Sequence, residues 1–204
     1  MKRFLQLVAA STVLAVCSAF ATPTVINFDD GVDGTAVGNT YLALGVIASN
    51  VQFDTFSCQG VCGPIGALKV TNINDIYQPK VDNPMVFTFT NSVSFVSLYG
   101  VNVGANGYRL DAFDAEVSGN LIGFAENFGI GVGAQNNPLL SVSGSDIRRI
   151  EVYQPLSVAV EGALWDVLTF DVEGSGQVPE PTSLALLGLG MTGLAFVRRR
   201  KATC

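Results

Sequence analysis

Between residues 22 and 177 the chain alternates short apolar runs with loop-forming residues, and this pattern constrains its fold most. Gly, Asn, Pro or Ser interrupts nearly every gap between the runs, and none of them has the 3.6-residue period and caps of a helix. Roughly 150 residues suffice for one domain with its own core. The sequence therefore predicts an all-β, antiparallel β-sandwich or jelly roll. Its predicted strands are Val25–Phe28, Val46–Phe56, Met85–Thr90, Val93–Val103, Tyr108–Val117, Leu121–Phe128, Leu139–Val142, Ile147–Tyr153 and Ala163–Val172.

The N-terminal residues 1–21 have the three-part pattern of a secretory signal peptide. Lys2 and Arg3 precede an apolar run, and Ala19-Phe20-Ala21 is a small-x-small cleavage triplet. We therefore expect a signal helix that is removed on export; the alternative is an anchor that stays uncut. Cys17 follows Val16, where a lipoprotein signal carries a smaller residue, so we interpret Cys17 as an ordinary signal-peptide residue.

The C-terminal residues 178–204 form a second apolar segment with a different order. The prolines of Val178-Pro179-Glu180-Pro181 disfavour helix locally, and residues 182–197 are then predicted to form a transmembrane helix. Its uncharged core of 14 residues, Leu184–Val197, spans about 21 Å as a helix, so snorkelling arginines must help it to cross. A buried helix of the domain is the alternative, but the segment is apolar on every face. A basic tail follows at residues 198–201, formed by Arg198, Arg199, Arg200 and Lys201.

This order of Pro-Glu-Pro, short apolar helix, arginine cluster and chain end resembles the PEP-CTERM sorting signal of Gram-negative bacteria. The resemblance implies a secretion translocon and an exosortase, a transpeptidase-like membrane protease, as partners. It also implies that the C-terminal helix holds the chain transiently in the inner membrane. Cleavage near Pro179–Pro181 then passes the protein to the cell surface or to an extracellular polymer matrix.

The net charge of residues 22–177, the body of the chain, excludes one large class of function. Of 17 Asp and Glu only Glu180 lies outside residues 22–177, and six of the 11 Lys and Arg lie outside, so the body carries 16 acidic and 5 basic residues, or −11. Such a surface argues against nucleic-acid binding and is compatible with neutral sugars, with divalent cations or simply with solubility. The chain has no His, which excludes catalytic triads that use His and zinc sites that use His ligands.

Two cysteines, Cys58 and Cys62, remain in the body within the loop sequence SCQGVCGPIG. Because export leads to an oxidising compartment, we predict a local disulfide between them. A zinc site would need further Cys or His ligands, and the spacing is not that of a CxxC redox motif.

The body also resembles the jelly-roll, galactose-binding-like domains often found before this sorting signal. The resemblance rests on Ile26-Asn27-Phe28-Asp29-Asp30, on Phe113-Asp114-Ala115 with Gly119–Gly123, and on Trp165–Phe170. It departs from the usual pattern at Val167, where the closing segment more often has a second acid.

A structural calcium ion is the one cofactor that this pattern suggests. First and last strands of such sandwiches usually lie together, which would bring Asp29 and Asp30 towards Asp166, and calcium binds carboxylate and carbonyl oxygens. Alternatively, Asp29-Asp30-Gly31 is only a turn. Trp165, the single Trp, is interpreted as a core residue rather than a sugar-stacking one.

Catalysis is the least favoured class of function. A glycosidase needs two carboxyl groups across a cleft, and Asp111, Asp114 and Glu116 do not form such a pair on their strand. We therefore expect an exported, non-enzymatic surface or matrix protein with a structural role in a biofilm or exopolysaccharide. The alternative is a carbohydrate-binding module that acts on exopolysaccharide.

Overall fold

The computed structural model describes residues 22–55, 69–74, 81–129, 137–159 and 162–172. These residues form nine antiparallel strands and one short 3₁₀ helix, Leu42–Leu44, which confirms the all-β prediction. The strands are β1 Thr24–Ile26, β2 Val46–Ser49, β3 Val51–Asp54, β4 Lys69–Asn72, β5 Met85–Val101, β6 Tyr108–Phe113, β7 Leu121–Asn127, β8 Leu139–Tyr153 and β9 Leu164–Val172.

Two long strands organise the fold, and each joins runs that the sequence suggested were separate. The first half of β5 pairs with β2 and with the end of β8, whereas its second half pairs with β9 and with the start of β8. Register shifts in β5 lie between Thr88 and Phe95, where the strand turns from one set of partners to the other. Bulges of this kind let one strand contribute to two packed layers, an arrangement that fits a β-sandwich.

The predicted run Val46–Phe56 divides into β2 and β3 at Asn50. Asn50 has a φ of 59°, a left-handed conformation that Asn tolerates better than most residues. Its side-chain amide donates to Asn83 Oδ1 and to the Pro84 carbonyl, which fixes the bend. β2 can therefore pair with β5 while β3 pairs with β4.

The buried core runs along both halves of β5 and is rich in aromatic residues. Phe89 of β5 packs on Phe170 of β9 with ring centroids 5.1 Å apart. Tyr108 of β6 stacks on Trp165 of β9 at 4.4 Å, and both are fully buried, so the core interpretation of Trp165 is confirmed. Burial of such large side chains is the main source of stability in a sandwich.

Several predictions fall outside the described residues. They are the signal helix at 1–21, the disulfide between Cys58 and Cys62, and the segment 178–204 with its transmembrane helix at 182–197 and its basic tail. Within the described part of the chain, no helix has the length and apolar character needed to cross a membrane.

Candidate functional site

The first and last strands lie side by side, as the sequence predicted. β1 pairs antiparallel with β9, with Ile26 opposite Leu168. Continuing this register brings the chain beyond Ile26 towards Asp166. Desolvation first, and then the negative charge of Asp29, raise the pKa of the Asp166 carboxyl. Farther along the same edge of β9, opposite β5, Val70 of β4 pairs with Trp165, so Lys69 also comes near Asp166.

Asp166 is a fully buried carboxyl group with one unsatisfied oxygen. Its Oδ1 accepts the backbone N–H of Val167 at 2.8 Å, while its Oδ2 has no hydrogen-bond partner within the described segments. Desolvation raises the pKa of Asp166 to about 6, although the Val167 hydrogen bond and the charge of Lys69 act to lower it. Val167 has a φ of 49°, which is strained for a β-branched residue.

Asp30 does not join this group, because it is engaged elsewhere. Its carboxylate accepts a hydrogen bond from the hydroxyl of Tyr41, and desolvation together with Asp30 raises the pKa of Tyr41. Asp29 accepts a hydrogen bond from the Asn27 amide at 3.1 Å. In the described residues no three Asp, Glu, Cys or His side chains are placed together to hold a metal ion. The calcium site therefore stays a prediction that rests on two carboxylates, Asp29 and Asp166.

A second candidate site lies on the outer face of the adjacent strands β6, β7 and β8. Strand pairing places Asp111 between Phe124 and Glu151, and Arg109 between Glu126 and Tyr153. The alternate residues of β6 and β8 point inward and are buried. We call this surface the arginine face, and its members are Arg109, Asp111, Phe113, Phe124, Glu126, Arg149, Glu151 and Tyr153.

Arg109 is the centre of the network at one side of the arginine face. Its Nε donates to Asp111 at 2.7 Å, its NH1 donates to Glu126 at 3.1 Å, and its guanidinium carbon lies 3.9 Å from the centroid of Phe124. Burial acts to lower the pKa of Arg109, but Asp111, Tyr153 and Glu126 raise it overall. The guanidinium is thus held in one orientation by three neighbours.

Arg149 repeats this arrangement at the other side of the face. Its guanidinium carbon lies 4.3 Å from the centroid of Phe113, and its NH2 lies 3.3 Å from Glu151. Between the two arginines, the hydroxyl of Tyr153 donates to Asp111 at 2.8 Å. Desolvation and this hydrogen bond raise the pKa of Tyr153 to about 12. The face is therefore a rigid array of rings, guanidinium groups and carboxylates.

The acids weighed for a glycosidase have different surroundings in the structure. Asp111 lies on the arginine face and is bound by Arg109 and Tyr153. Asp114 lies in the β6–β7 turn, where hydrogen bonds from the Asn120 side chain and backbone lower its pKa. Glu116 is exposed in the same turn. The structure does not bring these three into an opposed pair across a cleft.

Sequence reasoning missed the arginine face, although part of its signal is present. Arg109, Asp111 and Phe113 alternate along one predicted strand, which indicates a common side. Their partners on β7 and β8 depend on the strand register, and the sequence alone does not fix that register.

Comparison with known protein families identifies the C-terminal segment. Residues 177–201 match the model of the PEP-CTERM protein-sorting motif. The chain carries a PEP-CTERM sorting motif. This confirms the resemblance drawn from Pro179-Glu180-Pro181 and the arginine cluster, and it implies export with a transient membrane anchor. A search of curated proteins finds no match to the chain.

Among solved structures, the chain is similar to adhesin and carbohydrate-binding domains. The K2 cleaved adhesin domain of Lys-gingipain matches with a TM-score of 0.49 and 12% identity, over 74% of this chain and 98% of that one. The K1 domain of the same protein from Porphyromonas gingivalis W83 matches with a TM-score of 0.46 and 8% identity, over 76% and 100%. CsCBM6-3 from Clostridium stercorarium, solved with cellobiose, matches with a TM-score of 0.38 and 13% identity, over 76% and 95%.

Proposed function

We propose that this protein is exported, cut by an exosortase-type protease at its C-terminal signal and delivered to the cell surface or extracellular matrix, where its role is structural and non-catalytic. The observation that carries the proposal is the sorting motif at residues 177–201. The N-terminal signal pattern of residues 1–21 supports the same route, since it supplies entry to the translocon.

Processing is tested by changing the sorting motif in the full-length precursor. Combined replacement of Pro179, Glu180 and Pro181 by Ala should leave the protein in the membrane fraction, because the protease loses its recognition sequence. Replacement of Thr182 and Ser183 by Ala is the matched control, since it alters neighbouring polar residues and leaves the motif intact. Normal surface delivery of the Pro-Glu-Pro variant would refute the proposal.

A second function, binding of a neutral polysaccharide, is supported by the arginine face. Phe124 is 52% exposed, and the Arg109 guanidinium packs over its ring. An exposed ring offers an apolar surface to the C–H groups of a sugar, while oriented guanidinium and carboxylate groups can bond its hydroxyls. The charged side chains need no rearrangement on binding, because ion pairs already hold them in place.

The charges of the arginine face favour a neutral polymer over an anionic one. Two arginines stand beside three carboxylates, those of Asp111, Glu126 and Glu151, so the face carries no excess of cations. The body as a whole is acidic and would repel a polyanion.

Affinity electrophoresis in gels that contain neutral or acidic polysaccharides tests this second function. Phe124→Ala should abolish retardation by the neutral polymer that slows the wild type. Leu156→Ala is the matched control, because Leu156 is 45% exposed and lies in the β8–β9 loop rather than on the arginine face. Equal retardation of wild type and Phe124→Ala would contradict a binding role for the face.

A further inference from the structure

Each half of β5 belongs to one layer of the sandwich, and several edge strands of these layers are protected. The backbone N–H groups of Phe53 and Ala48 donate to the carbonyl oxygens of Thr35 and Gly38, at 2.9 and 2.8 Å. The loop of residues 34–38 therefore covers the outer sides of β3 and β2. β1 is only three residues long, and very short edge strands offer little to a neighbouring molecule.

Two other edges, on one flank of the sandwich, are open. β7 pairs with β6 alone, and the start of β8, Leu139–Ser143, pairs with β5 alone. Within the described part of the chain, no loop backbone hydrogen-bonds to the outer side of either strand. Neither strand contains Lys or Pro, the residues that commonly protect an edge. Both strands therefore present backbone N–H and C=O groups to a partner.

These two open edges face each other across the layers. A Cβ atom at Gly123 of β7 would lie 3.2 Å from Val142 of β8, and a Cβ atom at Gly144 of β8 would meet Ile122 of β7. The absence of side chains at the two glycines lets the strands approach closely. Because residue numbers rise along β7 where they fall along β8, the two strands run in opposite directions across the gap.

The midpoints of the two open edges lie at the same level. Phe124 is the middle residue of β7, and Ser141 is the middle residue of Leu139–Ser143. The contact of Gly123 with Val142, continued by one residue along each strand, sets Phe124 level with Ser141. One two-fold axis perpendicular to the layers can therefore pass close to both midpoints. Such an axis would pair each strand with its own copy, antiparallel and in register.

We propose that this flank, formed by β7 and Leu139–Ser143, is the interface of a homodimer in which each of the two strands pairs antiparallel with the same strand of a second copy. A second copy fits because an identical flank offers two edges with the same spacing and the same midpoints. A single added peptide strand would leave one of the two edges open. The pairing does not depend on export or on sugar binding, because it uses only the edges of the two strands.

The side chains of the flank also suit a second copy. Glu126 is the only charged residue of the two strands, and Arg109 already pairs with it at 3.1 Å, so the flank brings little charge against its own copy. Leu121, Phe124 and Leu139 are about half exposed and would be partly covered in the dimer. The acidic charge of the whole body opposes association, so added salt should strengthen the dimer.

Disulfide trapping in the full-length chain, in cells that export it, tests the register. Ser141→Cys should form a covalent dimer on oxidation, because a residue on the axis faces its own counterpart. Ser143→Cys alone should not, since its two copies would lie roughly 14 Å apart, but it should link to Leu139→Cys when the two chains are mixed. Val32→Cys is the matched control, because Val32 is 67% exposed on the loop beside the covered β3 edge. The wild-type chain sets the background from the native cysteines.

Sedimentation equilibrium of the exported protein measures association without a cross-link. Ser141→Lys, at an exposed position, places like charges opposite each other and should raise the dissociation constant about tenfold, whereas Val32→Lys should leave it unchanged. If Ser141→Lys folds poorly, the trapping pattern decides alone. A wild type that stays monomeric at high salt would overturn the proposal. Linkage that is as strong from Val32→Cys or Ser143→Cys as from Ser141→Cys would overturn it too, as would linkage of Ser141→Cys only to a different protein.

Discussion

The Arg109 guanidinium carbon lies 3.9 Å from the centroid of the Phe124 ring on the neighbouring strand. The register pairs Phe124 with Asp111 and Arg109 with Glu126, so this stacking is a diagonal cross-strand contact. One arginine thus orients an aromatic ring and two carboxylates together.

Arg109→Met should weaken binding of a neutral polysaccharide and also reduce stability. It keeps the length of the side chain but leaves the Asp111 carboxylate, whose side chain is only 11% exposed, without its cation. We expect a loss on the order of 1–3 kcal/mol in the free energy of unfolding, measured by urea denaturation. Phe124→Ala, at a half-exposed position, should change stability far less. An Arg109→Met protein of wild-type stability would contradict the network.

Trp165→Ala should be among the most destabilising single changes in the domain. The indole is fully buried and stacks on Tyr108, so its removal leaves a large cavity and should cost about 3–5 kcal/mol. Circular dichroism during chemical denaturation measures this cost without relying on the lost fluorophore. In the wild type, blue-shifted tryptophan emission should report the same burial, and emission typical of water would argue against it.

Asp166 should make the domain less stable as the pH rises. Its pKa is about 6 in the folded chain against an ordinary 3.8, so the folded state holds the proton more tightly. Stability from this group is present at low pH and is lost as the pH rises from about 4 through 6, by on the order of 2 kcal/mol. Asp166→Asn should therefore gain stability relative to wild type across this window. Asp82→Asn, the same substitution at an exposed site, is the matched control.

Calcium provides an independent test at the same residues. If Asp29 and Asp166 bind the ion, added Ca²⁺ at neutral pH should raise the melting temperature of the wild type but not that of Asp166→Asn, because the ion would satisfy the buried Oδ2. An unchanged melting temperature in the wild type would show that the calcium prediction is wrong.

Asp111→Asn should lower the pKa of Tyr153 from about 12 towards the ordinary value of 10. The hydrogen bond and the charge of Asp111 both stabilise the neutral phenol, and the substitution removes the charge. Tyrosine absorbance followed during an alkaline titration measures the change against the wild type. A titration identical to the wild type would indicate that desolvation alone controls Tyr153.

The sequence predicted the topology near the termini better than the side-chain contacts there. The expected proximity of the first and last strands is confirmed by the β1–β9 pairing. Lys69 was not foreseen beside Asp166, because β4 was missed as a strand. Its sequence Lys-Val-Thr-Asn begins and ends with polar residues that hydropathy would place outside, yet Lys69 and Asn72 are only 4% and 0% exposed.

Strand boundaries were the least predictable feature for the same kind of reason. Asn91 and Ser92 look like a turn in the sequence, but β5 runs through them as an irregularity between two layers. The pairing partners supplied by β8 and β9 decide this, and they are distant in sequence. Conversely, the C-terminal motif was recognisable at once, because its order of residues does not depend on tertiary contacts.

The intact mass of the exported protein tests the central claim most directly. The measurement should be made on protein from matched cells with and without the exosortase-type protease. With the protease, we predict a chain that begins at Thr22 and ends near Pro181; without it, we predict a membrane-bound chain that keeps the apolar segment and Arg198–Arg200. A surface protein that retains its complete C-terminus in cells containing the protease would contradict the account.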